Sequence, residues 1–143
     1  MANVNAWRRI PPMARSHMER VFVYGTLRRG ERLSDWLEKG KFLGTCRIPG
    51  HLYVVPVEDF PFPAFKEASF RYGWVKGEVY EISKSLLKKL DRVEHVPKLY
   101  CRKVYDHCLF GKVNYYSWPH EIPKEWEVIL GGDWVEWRKS HEY

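Results

Sequence analysis

Apolar and polar positions along this chain fall into short blocks. Val21-Phe22-Val23-Tyr24 is an unbroken β-prone run that stops at Gly25, which predicts a short strand. Phe42 to Cys46 and His51 to Val57 read as two more strands joined by a turn through Pro49-Gly50. Trp74 to Ile82 reads as a fourth, and Gly77 inside it predicts a bulge or a close approach of backbone. Val57 to Pro63, punctuated by Pro56, Pro61 and Pro63, reads as a loop. Tyr100 to Phe110 and Val113 to Trp118 predict a hairpin turning at Gly111-Lys112. Leu33 to Glu38, with Leu33, Trp36 and Leu37 at helical spacing, predicts a short helix. The tail from Trp126 to Tyr143 predicts one packed aromatic segment, open to a helical form. Many short strands with two or three short helices make an α+β domain.

The clearest helix is Ser83 to Glu94, reading SKSLLKKLDRVE. Ser83 is a good N-cap, with an oxygen free to accept a first-turn N–H. Leu86, Leu87, Leu90 and Val93 share one face at about 100° per residue. Glu94 lies one turn beyond Leu90 and falls inside that apolar arc, while Asp91 lies at its edge, placed to cap or pair locally. Two readings of Glu94 are open. If the helix reaches it, the carboxyl is drawn out of water, and desolvation makes it a base that works near neutrality. If the helix stops short, Glu94 points to solvent. Pro97 makes His95 to Lys98 a loop.

Residues Val21 to Gly30, VFVYGTLRRG, carry strand, tight turn and helix entry in ten positions. Gly25 lets the chain bend and lets a ligand approach, because it has no Cβ. Such turns leave successive N–H groups aimed into one concavity, which attracts anions and polarised carbonyl oxygens. An ordinary strand-to-helix connection has the same pattern.

Together, Tyr24-Gly25-Thr26-Leu27, Leu90-Asp91-Arg92-Val93-Glu94 and Tyr100 resemble the gamma-glutamylcyclotransferase-like superfamily, with its YG[ST]L loop and its LDxxE motif followed by tyrosine. Gly40 to Gly44, Gly50-His51-Leu52-Tyr53, Phe62-Pro63-Ala64 and Gly77 to Ile82 fit the same order, so the resemblance runs from about Val21 to Trp118. It implies a small mixed, partly closed β-barrel with two or three short helices. It also implies a reaction. The free α-amine of a γ-glutamyl amine or γ-glutamyl amino acid attacks its own γ-carbonyl carbon, giving 5-oxoproline and a released amine. The substrate brings its own nucleophile, so no covalent enzyme intermediate forms.

By that resemblance Glu94 is the general acid/base. Tyr24, Gly25, Thr26 and Leu27 hold substrate through main-chain donors, and Tyr100 and Tyr116 line the pocket. Packing alone would also account for Tyr116, and Thr26 is as suited to capping the next helix as to touching substrate. Leu33 stands where some members carry asparagine. Arg28 and Arg29 either help hold an acidic substrate or lie on a solvated surface. A non-catalytic small-molecule-binding or regulatory domain that keeps the cavity is the alternative function.

Size and composition narrow the rest. The chain of 143 residues fits a single domain, expected over 19–143 with an N-terminal extension at 1–18. The net charge of +6 with 16% aromatic residues raises nucleic-acid binding. Bases and acids alternate, however, as in Lys66-Glu67 and Lys124-Glu125, so a mixed solvated surface and no nucleic-acid partner are expected. No run approaches the ~20 apolar residues that cross a bilayer, so no membrane is expected. Cys46, Cys101 and Cys108 show no CxxC spacing, and no secretory h-region is visible. Reduced, buried thiols in a cytoplasmic protein are expected. The histidines lack HxxxH or HxH spacing, so neither metal nor cofactor is expected. Glutamine is absent and charged residues are plentiful, which favours a thermophilic source. A monomer or homodimer is expected.

Overall fold

The computed structural model describes residues 17–68, 73–141 and 143. Strand β1 (Met18–Val23) lies in the middle of a five-stranded sheet. Its order is β2 (Lys41–Pro49), β5 (Trp74–Ser83), β1, β7 (Gly111–Ser117) and β6 (Cys101–His107). β1 runs antiparallel to β5 and parallel to β7. A second sheet holds β3 (His51–Val55) between β4 (Phe62–Lys66) and β8 (Val128–Ile129).

The apolar run of β1 has a reason: it is covered on both faces. Phe22 points into one cluster with Leu52, Val54, Phe65, Val79, Val113 and Trp134. Val21 and Val23 point into another with Leu87, Leu90, Tyr100 and Tyr116. Side chains alternate across a strand, so a strand between two cores must be apolar at every position. The second sheet packs on the first face. Helix α1 (Lys84–Val93) covers the other with its buried Leu87 and Leu90. The Trp118 amide donates to the Phe65 carbonyl (2.9 Å) and the Lys76 amide to the Gly132 carbonyl (2.8 Å). These bonds tie the sheets at two places and leave the expected partly closed α+β barrel. Among the described residues, no helix is long and apolar enough to cross a membrane.

Ser83 caps α1 through its Oγ, which accepts the Leu86 amide at 3.1 Å. The helix ends at the expected place. Glu94 is its C-cap, and His95 takes a positive φ of 53°, a left-handed turn that stops a helix. Gly77 proves to be a close approach. A Cβ there would meet the Val23 carbonyl oxygen at 2.4 Å and the Phe22 ring at 2.5 Å. The bulge lies instead in β2, between Phe42 and Gly44.

Several elements differ from the sequence pattern. The stretch Val57 to Pro63 is not all loop, because Phe62 and Pro63 open β4. Pro63 is tolerated because β4 is an edge strand, with β3 alone beside it. β3 ends at Val55, and although β2 and β3 are separated only by Gly50, they belong to different sheets. The hairpin turns at 108–110 rather than Gly111-Lys112. There the His107 Nδ1 accepts the Leu109 and Phe110 amides (3.0 and 3.2 Å) and builds the turn from a side chain. The helix expected at Leu33 to Glu38 is a single 3₁₀ turn, Ser34–Leu37. The tail is strand β8 followed by helix α2 (Trp134–Ser140), not one segment. Cys108 is exposed, against the expectation of a buried thiol. The expected extension at 1–18 lies outside the described residues up to residue 16, and Met18 already belongs to β1.

Candidate active site

β1 delivers the glycine loop to one end of the sheet, and α1 delivers Glu94 to the same place. Between them lies a cavity of about 370 Å³. Gly25, Thr26, Leu27, Glu94, Tyr100 and Tyr116 all line it, joined by Tyr24. The structure therefore brings together every expected site residue. They span 92 positions of sequence between Tyr24 and Tyr116, a pair linked directly by a bond from the Tyr24 hydroxyl to the Tyr116 carbonyl.

The loop is a pair of tight turns. The Arg28 amide donates to the Gly25 carbonyl (3.0 Å), and the Glu31 amide donates to the Arg28 carbonyl (3.0 Å). Gly30 supplies a positive φ of 76° in the second turn. The Leu33 amide then closes back on the Thr26 carbonyl at 2.8 Å. Among the described residues, the N–H groups of Gly25, Thr26 and Leu27 donate to no protein acceptor. They remain available to an anion or a polarised oxygen. Thr26 does not cap the 3₁₀ turn, whose N-cap is Leu33 without a side-chain bond. Gly25 is required by the protein as well: a Cβ there would strike the Pro63 ring at 2.6 Å. The space that its missing side chain frees is filled by β4.

Glu94 is the one carboxylate among the lining residues. Burial pushes its carboxyl up to about 7, with the Arg32 guanidinium pulling weakly the other way. The helix geometry causes this. The C-cap position continues the apolar stripe of α1, so the side chain leaves the helix into the cavity rather than into water.

The tyrosines are anchored by their own hydroxyls. Tyr100 donates to the Pro63 carbonyl at 2.6 Å and packs edge-on to Trp118 at 5.4 Å. Tyr116 donates to Asp91 Oδ1 at 2.8 Å, and Asp91 is itself held by Arg102 Nε at 2.9 Å. Burial, then the Glu94 charge, holds the Tyr100 hydroxyl far above its ordinary value. Burial and the Asp91 bond do the same for Tyr116. Both rings are thus neutral walls at any ordinary pH. Asp91 pairs locally, as its place at the edge of the helix face suggests.

Arg28 is neither a substrate ligand nor solvated. It is 7% exposed, and its Nε reaches Glu78 Oε2 at 3.1 Å while Nη1 reaches Asp133 Oδ1 at 2.9 Å. Glu78 also accepts the Arg29 amide (2.9 Å) and the Tyr80 hydroxyl (3.0 Å). One turn on, Glu31 takes Arg138 of α2 bidentately at 2.6 and 2.8 Å. Arg29 lays its guanidinium over Phe42, 3.9 Å from the ring centroid. Sequence reasoning missed this substructure, and it also missed Arg32, Leu33, Phe62, Pro63 and Leu99 as cavity lining. The Phe62-Pro63-Ala64 match to the superfamily was the available signal for two of these.

Residues 21–136 match the family described as gamma-glutamyl cyclotransferase, AIG2-like, and the chain belongs to that family. A Methanocaldococcus jannaschii protein named "Putative gamma-glutamylcyclotransferase" is 30% identical over 85% of this chain and 99% of its own length. A similarly named Drosophila melanogaster protein is 36% identical over 59% of this chain, a match spanning only 57% of that longer relative. Among solved structures, an uncharacterised protein from Pyrococcus horikoshii superposes with a TM-score of 0.70 and 30% identity, covering 87% of this chain and 96% of that one.

Proposed function

We propose that this protein converts a γ-glutamyl amine or γ-glutamyl amino acid to 5-oxoproline and releases the amine. The observation that carries the proposal is Glu94: a carboxyl raised to about 7 that shares one cavity with the unpaired amides of the Gly25 loop. The tyrosine and Pro63 walls favour a folded substrate with its α-amine close to its γ-carbonyl. Such pre-orientation is worth effective molarities of roughly 10⁵–10⁸ M. Ionised Glu94 takes a proton from the α-ammonium, and the freed amine attacks the γ-carbonyl carbon. The carbonyl oxygen becomes an oxyanion, which the main-chain donors stabilise. The oxyanion collapses as Glu94 gives its proton to the departing nitrogen and that C–N bond breaks; the ionised carboxylate then takes the surplus proton from the new ring nitrogen and passes it to the released amine, which leaves as an ammonium. One C–N bond forms and one breaks, with no water consumed. We further infer a cytoplasmic setting, supported by three free thiols, Cys46, Cys101 and Cys108.

Incubation with a panel of γ-glutamyl compounds, read out as 5-oxoproline by mass spectrometry, tests the reading. Release from at least one compound by the wild type is expected, with loss in Glu94→Gln. Saturable binding without any 5-oxoproline would replace the enzyme by a non-catalytic binding domain.

A further inference from the structure

Three arginines follow the glycine turn, and they meet different fates. Arg28 is consumed by Glu78 and Asp133. Arg29 lies over the Phe42 ring. Arg32 lines the cavity, is exposed, and has no ion pair or hydrogen bond among the described residues. Its guanidinium sits 5.3 Å from the centroid of the Phe60 ring, which is itself 62% exposed. An arginine stacked on an aromatic face is held in place while its N–H edge stays free. Arg32 is also the one guanidinium or ammonium among the lining residues.

The cavity is therefore graded. Its inner part holds Glu94, the loop amides and buried tyrosines, and its outer part holds a free cation on an exposed ring. The reaction proposed above fixes which end of the substrate goes where. The glutamyl portion must lie against Glu94 and the loop to cyclise, and the departing amine must face the exit. We propose that Arg32 is a specificity-determining residue that binds a carboxylate on the departing group, so that the preferred substrates are γ-glutamyl amino acids rather than simple γ-glutamyl amines. This inference rests on the cyclotransferase reading for its orientation of the substrate. The guanidinium fork matches a carboxylate in a way that an ammonium does not.

The matched pair γ-glutamylalanine and γ-glutamylethylamide tests it, because they differ only by the carboxylate on the departing group. With the wild type, kcat/KM is expected to favour γ-glutamylalanine by about 10- to 100-fold, the range of one charge-assisted contact. Arg32→Gln should erase that preference, bringing kcat/KM on γ-glutamylalanine down to that on γ-glutamylethylamide through KM, and Arg32→Lys should restore part of it. Equal losses on both compounds would overturn the proposal, because Arg32 would then serve the shared α-carboxylate or Glu94. An unchanged preference would overturn it too. Calorimetry in the Glu94→Gln background reads the same preference as binding and needs no turnover. If the wild type releases no 5-oxoproline but binding still favours γ-glutamylalanine only when Arg32 is present, the catalytic reading fails and the Arg32 subsite stands. If no Arg32-dependent binding preference appears, the subsite fails whatever the turnover.

Discussion

Two carboxylates attend the glycine loop, Glu78 buried beneath it and Glu94 half-buried in the cavity wall. Glu78, 6% exposed, accepts from the Arg28 guanidinium, the Arg29 amide and the Tyr80 hydroxyl. Glu94, at the end of α1, has no side-chain hydrogen bond among the described residues, Arg32 acts on it only through its charge, and its carboxyl climbs to about 7. A carboxylate surrounded by donors serves as a foundation. One deprived of them is poised to exchange a proton near neutrality. Burial alone does not distinguish a structural acid from a chemical one. The partners do.

That contrast is breakable by mutation. The largest effect is expected from Glu94→Gln, which keeps shape and removes proton transfer. The rate of 5-oxoproline release should fall by roughly 10²–10⁴-fold, while the circular dichroism spectrum stays unchanged. Arg28→Ala does the opposite kind of damage. It strands Glu78 and Asp133 without their shared cation, and losing one partner of a buried pair costs about 3–5 kcal/mol, measurable by urea denaturation.

The pH dependence of stability reads Glu94 without touching activity. Below about pH 4.5 the Glu94 carboxyl is protonated in both folded and unfolded chains and contributes nothing. Between 4.5 and about 7 the folded chain keeps a proton that the unfolded chain has lost. Stability therefore falls as pH rises through that window, then levels off. The full difference is about 3 kcal/mol. Wild type minus Glu94→Gln isolates it: equal stability near pH 4, and a more stable variant at pH 8, as read from urea midpoints. The smallest effect is expected from Tyr80→Phe, which removes one of the donors to Glu78 at about 1 kcal/mol and leaves turnover within a factor of two.

What the sequence disclosed follows the range of the forces involved. The Ser83 cap, the apolar stripe of α1 and the C-terminal place of Glu94 are local, written within a dozen residues, and they were legible. So was the glycine loop. The ion pairs of Arg28 join positions 50 and 105 apart in sequence, and no periodicity announces them. Arginines beside a glycine turn read as surface until Glu78 and Asp133 are seen beneath them. Strand β4 was hidden by Pro63, which is harmless only because the strand lies at an edge. The hairpin turn was misplaced because glycine is the usual signal, whereas here the His107 ring nucleates it.

The glycine loop is fastened from far downstream. Glu78 lies 50 residues beyond Arg28, Asp133 105 residues beyond it, and Arg138 107 residues beyond Glu31. A growing polypeptide on the ribosome thus carries the glycine turn well before it carries the partners that secure it. A product cut short before Asp133 would still contain each residue assigned to the chemistry, and yet leave Arg28 half-paired and Glu31 without Arg138.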